Sequence, residues 1–162
     1  MPASKTSPLP DESRTVRLRV LCTPLPPRAF DRFREIQLGM QYGKEEVRPG
    51  REESEGTLRF ECEVRVKKRP DTGRPDFLGP WVHGAPGTRF LYLVWEGEEE
   101  GVWQLFRRMK VPLSPITWEQ VEAAGGGEEG VLEGTVSGVG ADGAPACASV
   151  PLADGGWTLR RG

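Results

Sequence analysis

The chain has a single histidine, His83, and three widely separated cysteines, Cys22, Cys62 and Cys147. With no CxxC pair and one imidazole, no Cys/His zinc set can be assembled, and no disulfide framework is indicated. Thiols in such numbers are expected reduced and buried, as in a cytoplasmic protein. No apolar run approaches the roughly 18 residues of a membrane helix, and the opening MPASKTSPLPDESR lacks the apolar core of a secretory signal. Cytoplasmic location without a membrane partner is the expectation. Strong charge of either sign is also missing. A formal net charge of −2 and a pI near 5.6 give no overall pull toward nucleic acid or anionic lipid. Nothing in the residues calls for a cofactor.

What the chain has in quantity is turn-forming residues, 21 glycines and 15 prolines in 162. Many short strands joined by tight turns produce that richness. Residues 1–13, rich in Pro, Ser, Asp and Glu, bury too little to offset the entropy of ordering and are expected to form a disordered tail. Residues 14–161 then make one β domain. Val16, Leu18, Val20 and Cys22 alternate with Arg17 and Arg19, the pattern of a half-buried strand that Pro24, Pro26 and Pro27 end. Ile36, Leu38, Met40 and Tyr42 repeat at period two, and 43–56 read as a charged loop. The strongest alternation runs from Thr57 to Lys67, with Leu58, Phe60, Cys62, Val64 and Val66 on one face. Residues 68–80 read as a second loop with its tip at Thr72-Gly73.

The stretch from Phe77 to Leu113 concentrates the aromatic residues. Arg89–Trp95 is apolar on both faces, which suits a central strand or a dimer interface. An EGEEEG loop leads into Val102–Val111, where strict alternation places Trp103, Leu105, Arg107, Met109 and Val111 together. Thr117 and Gln120 form a capping-box signal, with Ile116 and Val121 as its hydrophobic staple, and Gly125–Gly127 stop the helix after two turns. Val131–Val139 and Ala146–Val150 are expected as strands joined at an Asp142-Gly143 type I′ turn. Trp157–Arg160 adds an edge strand. The expected fold is an all-β, antiparallel β-sandwich or partly open barrel of about 7–8 strands, with one short helix near 117–124.

The segment GPWVHGAPGTRFLYLVW, followed by FRRMKVPL, DGAPACASV and Trp157, resembles an uncharacterised bacterial family, domain of unknown function 5990. The resemblance spans most of residues 16–157 and implies one compact bacterial domain. No activity, cofactor or catalytic residue comes with it.

Several constellations bear on function. If residues 79–87 fold over one end of the sheet, Trp81 and His83 project toward Arg89 and Tyr92. An apolar wall, two polar heads and a fixed cation make a small-ligand pocket. The Arg89 guanidinium would take a carboxylate or phosphate in bidentate fashion, unless it pairs with Asp76. Either role makes Arg89→Ala destabilising. His83, with an ordinary pKa near 6.5, is the one general acid/base candidate for an enzyme, but it sits in no nucleophile or metal motif. Arg65, Lys67, Lys68 and Arg69, together with Arg107, Arg108, Lys110 and the interleaved Phe106, would form a single-stranded nucleic-acid stripe if their strands were neighbours. Glu61 and Glu63 on the same face favour ordinary cross-strand pairing. The acid pairs at Glu45/Glu46, Glu52/Glu53, Glu98–Glu100 and Glu128/Glu129 read as solubilising loops, and 84–89 lack the helix that a phosphate-binding Walker loop opens. The balance favours a binding domain for a small anionic molecule or a protein partner over an enzyme.

Overall fold

Leu18, Val20 and Phe60 lie at the centre of one hydrophobic core enclosed by two sheets and a short helix. The computed structural model describes residues 13–23, 35–42, 47–54, 56–78, 89–125, 130–140, 146, 148–150, 152–153 and 156–161. Among them are eleven strands and one helix. The first sheet combines β1 (Ser13–Cys22), β4 (Arg51–Ser54), β5 (Thr57–Lys68), β6 (Pro75–Leu78), β9 (Gly130–Val136) and β11 (Thr158–Arg161) in the order β11-β9-β1-β5-β4, with β6 also on β5. The second runs β10-β8-β7-β2-β3 and combines β2 (Glu35–Tyr42), β3 (Arg48–Pro49), β7 (Phe90–Glu99), β8 (Val102–Pro112) and β10 (Ala148–Ser149). This is the expected β-sandwich, or partial barrel. No helix among the described residues is long and apolar enough to cross a membrane.

The two best alternating patterns pair with each other. β1 and β5 run antiparallel over ten residues, Ser13 facing Lys67 and Cys22 facing Leu58. Their inner residues Val16, Leu18, Val20, Cys22, Phe60, Cys62, Val64 and Val66 are all buried. The doubly apolar stretch is the central strand β7, held between β2 and β8. Two apparent loops carry edge strands. Residues 43–56 supply β3 to the second sheet and the fully exposed β4 to the first; residues 68–80 supply β6. An edge strand joins through its backbone alone, so it needs no apolar alternation to announce it. The tail and the Asp142-Gly143 turn lie outside the described residues, except that β1 already begins at Ser13.

Three other expectations need correction. The sandwich is not wholly antiparallel: β9 runs parallel to β1, and β10 parallel to β8. The chain does double back after β9, with Ala146 N–H donating to Gly138 O at 2.9 Å, yet β9 and β10 then part into different sheets. EGEEEG is no loop. β7 continues through Glu99, and only Glu100 (φ 54°) and Gly101 (φ 82°) turn, both left-handed as a type I′ hairpin requires. Glu98 is buried, and its Oε2 accepts the Gly101 N–H at 2.6 Å, so the acid closes the turn.

The third correction is a β-bulge. Trp95 faces Arg107 while Glu96 faces Leu105, leaving Phe106 as an extra residue in β8. One inserted residue reverses the side-chain parity of everything beyond it. Met109 and Val111 stay buried, whereas Trp103 and Leu105 turn outward.

Helix α1 (Trp118–Gly125) forms as its capping signals specify. Thr117 N–H donates to Gln120 Oε1 at 3.0 Å, and Gln120 N–H donates to Thr117 Oγ1 at 3.2 Å. Ile116 and Val121 are buried as a staple. Eight residues are too few for a stable isolated helix, so burial of Trp118, Val121 and Ala124 against β1 and β9 holds it. Thr117→Ala should cost about 1 kcal/mol and lower Tm by roughly 2–4 °C, with Thr117→Ser close to wild type; calorimetry checks this.

Cys22 and Cys62 are buried. Burial pushes the Cys22 thiol up to about 12 from 9.0. Its folded pKa exceeds its unfolded one, so the unfolded chain gives up the proton first as pH rises. The contribution of Cys22 to stability is therefore whole below pH 9 and lost toward pH 12, by about 1.4 kcal/mol per pH unit. Denaturant titrations between pH 8 and 11 should show that decline, and Cys22→Ala should flatten it.

Candidate functional site

A cleft among the described residues opens where the two sheets meet at the turn of the β5–β6 hairpin. That turn is built by Gly73 in the left-handed region (φ 71°), with Gly73 N–H donating to Arg69 O at 2.7 Å and Arg69 N–H to Arg74 O at 2.9 Å. It sets Arg69 and Arg74 on the two limbs of a tight reversal. Across the cleft, Leu113 N–H donates to Arg89 O at 3.0 Å, joining the entry of β7 to the exit of β8. Two bonds clasp the walls together: Arg74 Nη2 donates to Ser114 O at 2.8 Å, and the Tyr42 hydroxyl donates to Leu78 O at 2.8 Å.

The cleft has a volume of 510 Å³. Buried Phe77, Leu113 and Ile116 and half-buried Phe90 give it an apolar lining. Arg69, Arg74 and Arg89 bring three guanidiniums, against the single carboxylate of Asp76. Arg69 lies 3.5 Å from Asp71 in an exposed pair. Arg89 is exposed and forms no ion pair with any described residue, Asp76 included. Guanidiniums converging over an apolar floor can hold a molecule that joins an anionic head to a hydrophobic body.

Of the four residues expected to make the pocket, two are described, and of these Arg89 lines this cleft and Tyr92 does not. Trp81 and His83 lie outside the described residues, so the acid/base role considered for His83 has no geometry here. Tyr92 belongs to the outer face of the second sheet, where its ring carries the Arg108 guanidinium 5.1 Å from the centroid. Lys110 sits 5.3 Å over the neighbouring Phe90 in the same way. These contacts are cation–π pairs within the sheet. Arg69 and Arg74 read as loop residues in sequence; the Thr72-Gly73 turn between them was the one available hint that they share a wall.

The basic residues considered for nucleic acid do not form one stripe. Arg65 and Lys67 are on β5 in the first sheet, while Phe106, Arg108 and Lys110 are on β8 in the second, and the two strands are not neighbours. The outer face of the first sheet is instead an ion-pair lattice. Arg19 donates to Glu61 at 2.7 Å and to Glu133 at 3.2 Å; Arg17 and Arg59 each approach Glu61 to 3.9 Å, and Arg160 approaches Glu133 to 3.3 Å. Partial burial pulls the Arg19 pKa down, but the hydrogen bonds and charges of the two glutamates outweigh it and hold the pKa above its ordinary value.

The chain belongs to the family of unknown function DUF5990, whose model matches residues 16–160. No curated protein and no solved structure matches it.

An exposed arginine without an ion-pair partner among the described residues contributes little to folding, contrary to the destabilisation expected from sequence. Arg89→Ala should change stability by no more than about 0.5 kcal/mol, measured by urea denaturation, so ligand effects at this position can be read without a folding defect.

Proposed function

We propose that the protein is a cytoplasmic binding domain whose cleft takes a small anionic molecule with an apolar portion. The observation that carries this reading is the meeting of Arg69, Arg74 and Arg89 around a 510 Å³ cleft lined by Phe77, Leu113 and Ile116. Arg74 spends one nitrogen on Ser114 O and keeps further donors, since a guanidinium has five N–H groups. That bond orients it. Arg89, at the start of β7, supplies the fork for a carboxylate or phosphate. The apolar floor contributes about 25 cal/mol per Å² of ligand surface withdrawn from water, so a purely inorganic anion should bind more weakly than an organic one.

The test is a thermal-shift screen of carboxylates and phosphate esters, aliphatic and aromatic, against wild type and Arg89→Lys. A ligand at 100 times its Kd adds about 2.7 kcal/mol, a Tm rise of roughly 5–10 °C for a chain of this size. The rise should shrink in Arg89→Lys, which keeps the charge and loses the fork. A screen in which no organic anion shifts wild type, or in which the lysine variant responds equally, would remove the proposal.

A further inference from the structure

Val102, Trp103 and Leu105 are 63%, 44% and 42% exposed, and they are the exposed large hydrophobic side chains among the described residues. They are consecutive or nearly so, on one strand. Among the described residues one edge of that strand is also open over part of its length. On the side of β8 away from β7, Met109 and Lys110 pair with β10, and no described strand pairs with Val102–Arg108. An apolar strand edge offering free N–H and C=O groups is a template for another strand. The Phe106 bulge limits the straight part of this edge to Val102–Leu105.

The sequence of the edge selects its partner. Val102-Trp103-Gln104-Leu105 carries no charge; Glu99 and Glu100 precede it, and Arg107 and Arg108 follow. An antiparallel copy centred on Gln104 sets Trp103 against Leu105 of the second copy, and Leu105 against its Trp103. Both point outward from the sheet, so they meet on the same face. The same two-fold operation brings the acidic turn of each copy beside the Arg107–Arg108 pair of the other. A parallel arrangement would bring like charge to like.

We infer that the chain self-associates through the β8 edge, as an antiparallel dimer that joins the second sheets of two copies across Gln104. The contact is isologous, as two-fold dimers are. One short strand per copy gives an interface at the small, weak end of the range, and the flanking charges make it sensitive to salt.

Sedimentation equilibrium on the full chain tests this, with far-UV circular dichroism to confirm that each variant is folded. Wild type should show a reversible monomer–dimer equilibrium that weakens as salt is raised. Leu105→Lys should raise the dimer Kd at least tenfold. Glu100→Arg and Arg108→Glu should each weaken the dimer, and the two together should recover most of the loss. A wild-type chain that stays monomeric to several hundred micromolar overturns the inference. So does a dimer indifferent to Leu105→Lys, or a charge-reversed pair that fails to recover association.

Discussion

The hydroxyl of Tyr42 donates to the carbonyl of Leu78 at 2.8 Å, and the cleft depends on that bond. Tyr42 ends β2 in the second sheet; Leu78 ends β6, a four-residue edge strand of the first. Among the described strands β6 pairs with one alone, along the last residues of β5. A strand so short and so little paired would fray without a second anchor. Tyr42 supplies one from the opposite sheet, and Arg74 supplies another through Ser114 O at the other end of the same hairpin limb. Since both anchors cross between sheets, the β6 wall is fixed against the β7–β8 wall. Arg69 and Arg74 sit in the turn of that hairpin, so the two anchors and the turn's own hydrogen bonds together hold them opposite Arg89. Preorganised charge of this kind loses less entropy on meeting a ligand.

The two outer faces handle charge in opposite ways. On the first sheet Arg17, Arg19, Arg59 and Arg160 are matched by Glu61 and Glu133 across neighbouring strands. Those cations are spent locally, and a face so balanced has little attraction for a polyanion. On the second sheet Arg108 and Lys110 lie over aromatic rings, where attraction comes from the ring quadrupole, and among the described residues no acid pairs with either. Positive charge therefore remains at the cleft and along β8. Both lie on the side of the molecule built from β7 and β8.

Much of the fold was legible in the residues, for physical reasons. β1 and β5 show period-two alternation because each has one wet face and one buried face, and that contrast is what a sequence displays. The capping box at Thr117 and Gln120 was legible because its bonds are local. The parallel pairings of β9 and β10 were not, since strand direction is decided by connections that leave no mark on a seven- or two-residue strand. The candidate site was read only in part. Arg89 was found from its place before an apolar strand, but Arg69 and Arg74 reach it through a hairpin turn and a contact between sheets forty residues apart in sequence. Tyr92 was read as a pocket residue, but it alternates with the core residues Leu91 and Leu93 and so falls on the outer face.

β8 shows how one residue can carry a consequence across levels. Without the extra Phe106, Trp103 and Leu105 would keep the parity of Met109 and Val111 and would add to the core. With it, the inner half of the strand packs the sandwich and the outer half shows its apolar side chains to solvent. Bulges on edge strands commonly act against pairing, by twisting the edge away from a flat template. Here the bulge falls between the apolar segment and the Arg107–Arg108 pair, so it bounds the exposed edge instead of spoiling it. The result is a short, neutral strand with acid at one end and base at the other, which is complementary to itself in one orientation and repelled in the other. A flat, longer apolar edge would pair without limit. Charge at both ends and a bulge at one hold the contact to a closed pair.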